Sequence, residues 1–133
     1  MIFADTSGIY AALVATDARH AKASAVWQEQ LHSKQRFLTT SYVVHEAVAL
    51  LQARLGISAV QRWRIDVEPV LDIVWVDALL HRTAMAALVV SAKPDVSLTD
   101  WVSFEVMRRM DTHTAFAIDR HFSDEGFTVI PTG

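Results

Sequence analysis

Apolar residues along this chain follow two different periods. IFA ahead of Asp5, FLTT at 37–40, DIVWV at 72–76, TAFAI at 114–118 and TVI at 128–130 are short runs rich in β-branched or aromatic residues and bounded by turn formers. They predict five strands. Between them, 7–14, 20–33, 42–55, 58–66, 78–91 and 99–110 carry apolar residues at helical spacing. Strands alternating with helices imply βαβ crossovers, and apolar strands without polar alternation imply a mostly parallel sheet covered on both faces. The expected fold class is therefore α/β. Gly56 after the third helical stretch, Pro69 before the third strand and Pro94 before SLTD punctuate the pattern where such elements should end.

Composition narrows the picture. With 133 residues the chain is expected to form one domain spanning 1–133. The hydrophobic fraction of 52% is high, yet apolar runs such as AMAALVV at 84–90 are far shorter than the roughly 18 residues a membrane span needs. Asp5 follows the start almost at once and the first arginine is Arg19, which does not fit an export signal and points to a cytoplasmic protein with no membrane association. Without cysteine, any metal must be held by oxygen or imidazole ligands. A net charge of −3 argues against bulk attraction to nucleic acid unless bound cations reverse the sign locally.

In open parallel sheets, ligands bind beyond the carboxyl ends of the strands. Three of the five expected strands lead into an aspartate: Asp5, Asp77 and Asp119. An aspartate between a strand and a helix can simply cap the helix, and Asp77, followed by ALLHRTAMAAL, fits that role fully. Glu46 lies in SYVVHEAVALL, a helix that reads as buried nearly all round, where a carboxylate would need protonation, a cation or a metal. A salt bridge or a rim position would account for it equally. Ser97 and Asp100 match a capping box, while Asp100 also shares a helical face with Phe104 and Met107 and so points inward. Asp95 reads as a turn residue.

Asp5, Glu46, Asp100 and Asp119 can all be brought to one end of a parallel sheet. Carboxylates gathered in this way repel one another unless a divalent cation neutralises them, and an all-oxygen set suits Mg²⁺ or Mn²⁺ and phosphate-ester chemistry.

These segments, the apolar run into Asp-Thr-Ser, the glutamate of VVHEAVALL, SLTDWVSF, and AFAIDRHF followed by GFTVI, resemble in order and separation those of the PIN-domain nucleases, and more narrowly the VapC-type toxins of toxin–antitoxin pairs. The resemblance implies a three-layer α/β/α sandwich around a mostly parallel five-stranded sheet, and a metal-dependent ribonuclease. It places Asp5, Glu46, Asp100 and Asp119 as the catalytic acids. Asp5 and Asp100 would bind the ion directly, Glu46 and Asp119 directly or through water, and Thr6 and Thr99 would be supporting hydroxyls. It also implies an RNA substrate, a small VapB-like antitoxin and a homodimer. Lys93, Arg108, Arg109, Arg120 and His121 are candidates to meet the RNA backbone. Among Trp27, Trp63, Trp75 and Trp101, some are expected at an interface, with Trp75 and Trp101 assigned to the core.

Other readings are a housekeeping PIN nuclease without an antitoxin, a non-catalytic protein-binding PIN module, and a phosphohydrolase with Asp5 as nucleophile. The last would favour an aspartate at position 7, where this chain has Ser7.

Overall fold

The computed structural model describes residues 1–132. Five strands, β1 (Ile2–Ala4), β2 (Phe37–Thr40), β3 (Leu71–Val74), β4 (Thr114–Phe116) and β5 (Thr128–Ile130), form an all-parallel sheet in the order β3-β2-β1-β4-β5. Seven α-helices connect them: α1 (Thr6–Leu13), α2 (His20–His32), α3 (Ser41–Leu55), α4 (Ile57–Arg62), α5 (Ala78–Ser91), α6 (Leu98–Arg109) and α7 (His121–Asp124).

Register explains why the strands lack polar alternation. Ile2 lies opposite Phe37 and Ala4 opposite Phe116, so these residues share one sheet face, where Trp27 of α2 stacks on Phe37 with ring centroids 4.4 Å apart. Phe3, Leu38 and Ala115 share the other face, and Phe3 meets Phe122 of α7, which packs edge-on against Phe104 of α6. Both faces are buried beneath helices, so every strand position is under pressure to be apolar. The α/β sandwich expected from the sequence is present, and all the strand pairings among the described residues are parallel.

Several boundaries differ for physical reasons. The expected helix over 58–66 is α4 followed by a π-helical turn, Trp63–Val67, and a 3₁₀ turn, Glu68–Val70. Pro69 has no N–H and its ring crowds the carbonyl four residues back, so regular α geometry cannot run through this stretch. The four-residue α7 was not anticipated, being too short to show a period. The third and fourth strands end earlier than expected, at Val74 and Phe116, leaving Asp77 and Asp119 three residues beyond them.

Trp75 corrects one core assignment. Trp27, Trp63 and Trp101 are buried, but Trp75 is 71% exposed. It follows β3, which is an edge strand with a sheet neighbour on one side only.

Chain order places β1 at the centre. Consecutive strands proceed outward on one side to β3, then the chain crosses back to β4 on the other side of β1. A reversal of this kind opens a crevice at the carboxyl ends of the two strands flanking it, here β1 and β4.

Candidate active site

Asp5 stands at that crevice, immediately after β1, with its backbone N–H bonded to the Phe116 carbonyl of β4 at 3.0 Å. Its side chain is also the N-cap of α1: Oδ2 accepts from the Ser7 N–H at 3.1 Å and from the Ser7 hydroxyl at 2.5 Å. Ser7 Oγ in turn accepts from the Ile118 N–H at 2.9 Å, joining the residues that follow β1 to those that follow β4. The close approach of α1 to β4 depends on Gly8, where a Cβ would collide with the Phe116 carbonyl oxygen.

Asp100 enters from the first turn of α6. The expected capping box is formed, with the Asp100 N–H donating to Ser97 Oγ at 3.2 Å and the Ser97 N–H donating to Asp100 Oδ2 at 3.0 Å. The aspartate is only 8% exposed. On its open side stands His121 of α7, whose Nδ1 lies 3.3 Å from Asp100 Oδ2 and whose Nε2 lies 3.4 Å from Asp95 Oδ2. Asp95 is thus more than a turn residue, because it and Asp100 flank one imidazole.

Asp5, Glu46, Asp100 and Asp119 line one pocket, together with Thr6, Ser7, Tyr10, Asp95 and His121. Their surroundings differ. Asp5 is 3% exposed and its carboxyl is pushed up to about 7, chiefly by burial and further by the charges of Asp100 and Asp119, against the lowering effect of the Ser7 bonds. Burial likewise raises Asp100, while the Ser97 bonds and His121 oppose the shift. Asp119 and Glu46 are exposed. For Glu46 this corrects the expectation of a helix buried nearly all round: α3 buries only the stripe Val43, Ala47 and Leu51, and Glu46 lies off it.

Thr6, Thr99 and Ser7 divide differently from expectation. The hydroxyl that bonds Asp5 belongs to Ser7, whereas Thr6 Oγ1 is buried at the pocket without a hydrogen-bond partner. Thr99 lines an adjoining apolar groove with Tyr42, His45, Trp75 and Ala49. That groove shares Glu46 and Leu50 with the acid pocket. The sequence signal that could have found Ser7 is its spacing of two residues from Asp5, at which a short hydroxyl can bond an aspartate preceding a helix.

The donor set fits a hard divalent cation. Asp5 and Asp100 each engage Oδ2 with the start of a helix, and among the described residues Oδ1 of each has no hydrogen bond. Burial, with a smaller push from the neighbouring carboxylates, has raised both carboxyls, and a bound cation would favour their ionised forms. Among the described residues, no three His, Asp or Glu side chains are arranged to hold one ion as they stand.

Most cations nominated for RNA are engaged elsewhere. Lys93 and Arg108 both pair with Glu125, at 3.3 and 3.0 Å, Arg109 pairs with Glu105 at 2.9 Å and Arg120 with Asp124 at 3.7 Å. No helix among the described residues is long and apolar enough to cross a membrane.

Comparison with known proteins agrees along almost the full length. No protein-family profile matches the chain. Curated proteins named 23S rRNA-specific endonuclease VapC20, from two strains of Mycobacterium tuberculosis, are 34% identical over 131 residues, covering 98% of this chain and 98% of theirs. The crystal structure of Mycobacterium tuberculosis VapC20, described as a sarcin–ricin loop cleaving toxin, superposes with a TM-score of 0.83 at 35% identity, covering 96% of this chain and 97% of that one.

Proposed function

This chain belongs to the VapC family of PIN-domain ribonuclease toxins, and from that premise we propose that it is an Mg²⁺- or Mn²⁺-dependent endonuclease whose target is the sarcin–ricin loop of 23S rRNA. The target is carried over from VapC20, on a likeness that spans nearly the whole of both chains. The observation that supports cation dependence is Asp5, a buried carboxyl held up to about 7 beside two further acids.

Asp5 and Asp100 would hold the cation, with Glu46 and Asp119 completing the set directly or through water. When bound, the ion would supply an activated water for in-line attack on the phosphodiester and stabilise the leaving oxygen. The protein's part is to place the charges. Ser7 fixes the Asp5 carboxylate and ties it to the chain after β4. Ser97 fixes Asp100 at the start of α6. His121, between Asp95 and Asp100, limits where the second carboxylate can swing.

In the family setting the chain acts in the cytoplasm as one PIN domain and is neutralised by a small VapB-like antitoxin. A homodimer is also proposed, with the exposed Leu79, Val89 and Val90 of α5 as apolar surface for it to cover. The decisive experiment incubates the purified protein with ribosomes, with Mg²⁺ or with EDTA, and maps breaks in the rRNA. A cut in the sarcin–ricin loop that EDTA abolishes is expected. Cleavage elsewhere in the rRNA would overturn the target, and cleavage undiminished by EDTA would overturn the cation.

A further inference from the structure

Lys93, Arg108, Arg109 and Arg120 each stand beside a carboxylate that offsets part of their charge, so a cation without an acidic partner is better placed to meet RNA. Arg54 is exposed, and among the described residues it makes no ion pair. Its partner is neutral. The guanidinium lies over the ring of Tyr10, 6.0 Å from the centroid, with Nη1 donating to the Tyr10 hydroxyl at 3.5 Å. Tyr10 lines the acid pocket.

Helix geometry connects Arg54 to the acids by a second route. Glu46, Leu50 and Arg54 stand four residues apart on α3 and so share one face. Glu46 and Leu50 both line the acid pocket. Arg54 continues that row, about 12 Å beyond Glu46 along the helix axis at roughly 1.5 Å per residue. A cation in the last turn of a helix also suits the helix dipole, which accounts for its place in the turn. The dipole does not account for its contact with a tyrosine of α1 that itself lines the acid pocket.

We propose that Arg54, seated on Tyr10, is an RNA-backbone subsite that grips a phosphate flanking the one being cut. Arginine offers a planar fork of donors matched to phosphate oxygens, and its neutral partner leaves the charge available. Glu46 and Leu50 then form the floor between the flanking phosphate and the reacting one. In an acidic protein this contact supplies attraction that net charge does not, and it reads no base. The proposal rests on the ribonuclease reading for its ligand class but not on the sarcin–ricin target.

The test compares Arg54→Gln and Arg54→Lys with the unaltered protein. Binding to a fluorescent oligouridylate in Mg²⁺ is measured by anisotropy across a salt series, and KM and kcat are measured for cleavage of a sarcin–ricin stem-loop. For Arg54→Gln we expect a several-fold weaker Kd and higher KM, kcat within about twofold, and a salt slope shallower by about 0.7, the value for one single-strand phosphate contact. Arg54→Lys should recover the slope. An unchanged Kd and slope for Arg54→Gln would overturn the proposal, as would a loss confined to the stem-loop, which would make Arg54 a base reader. Absence of stem-loop cleavage by the unaltered protein bears on the target alone, because the oligouridylate arm does not need it.

Discussion

Ser7 Oγ donates to Asp5 Oδ2 at 2.5 Å and itself accepts the Ile118 N–H at 2.9 Å, so a single hydroxyl orients the buried acid and ties the chain after β1 to the chain after β4. Removing it should have two separable effects. Ser7→Ala leaves the Ile118 N–H without its partner, costing about 1–3 kcal/mol of stability. It also removes the hydroxyl bond that lowers the Asp5 carboxyl, while the backbone N–H bond from residue 7 stays. The Asp5 pKa should therefore climb, and the rising limb of the cleavage rate against pH should move to higher pH. A rate profile unmoved in pH would show that Ser7 does not control the acid.

Asp5→Asn should abolish cleavage without harming the fold. The sign follows from the direction of the shift. The folded-state carboxyl is raised from 3.8 to about 7, so between those values the folded protein keeps a proton that the unfolded chain has released. Stability from this group is full below about pH 4 and is lost as pH rises through about 7. Asparagine has no charge to bury. The variant should melt at or above the unaltered metal-free protein at pH 8, by up to a few kcal/mol, with the gap closing at pH 4. A variant less stable at both pH values, or one that still cuts RNA, would contradict this placement of Asp5. By the same linkage Mg²⁺ or Mn²⁺ should raise the melting temperature of the unaltered protein more at pH 8 than at pH 6, since binding must displace the Asp5 proton.

Much of this arrangement was legible in the sequence, and what was hidden has identifiable causes. Local signals transferred well: FLTT and TVI are strands to the residue, 78–91 is helix α5, and Ser97 with Asp100 forms both bonds of a capping box. Signals that depend on which side a neighbour lies did not transfer. Glu46 sits among apolar residues in sequence, but burial follows the stripe Val43, Ala47 and Leu51, and only the partner helices decide where that stripe falls. Trp75 is exposed because β3 is an edge strand, and sheet order is not written in any local pattern. Ser7 and Ile118 are 111 positions apart, so the contact that organises the acid pocket is invisible until β1 and β4 are adjacent.

Gly8 offers a test of the same junction by volume instead of by hydrogen bonding. A methyl there meets the Phe116 backbone carbonyl, which cannot move without disturbing the Asp5 N–H bond to that same oxygen. Gly8→Ala should therefore push α1 away from β4, costing about 1–3 kcal/mol as overpacking. Cleavage should fall beyond what the lost stability explains, because Asp5 and Ser7 move with the helix. Activity and melting temperature close to those of the unaltered protein would show that α1 can shift without carrying the acid.

Asp77 is the control for all of these. It also caps a helix, its Oδ1 accepting the Leu80 N–H at 2.8 Å, in the same relation to α5 that Asp5 has to α1. The two caps differ in their surroundings: Asp77 is exposed and outside the acid pocket, while Asp5 is buried and repelled by Asp100 and Asp119. Capping alone therefore predicts that Asp77→Ala costs about 1 kcal/mol of stability at neutral pH, with cleavage rate and cation affinity unchanged. Thermal melts and cation titration of this variant beside Asp5→Asn separate the two roles. A loss of cation affinity in Asp77→Ala would mean that the carboxylate end of β3 belongs to the site, and the boundary drawn at β1, α3, α6 and the chain after β4 would have to widen.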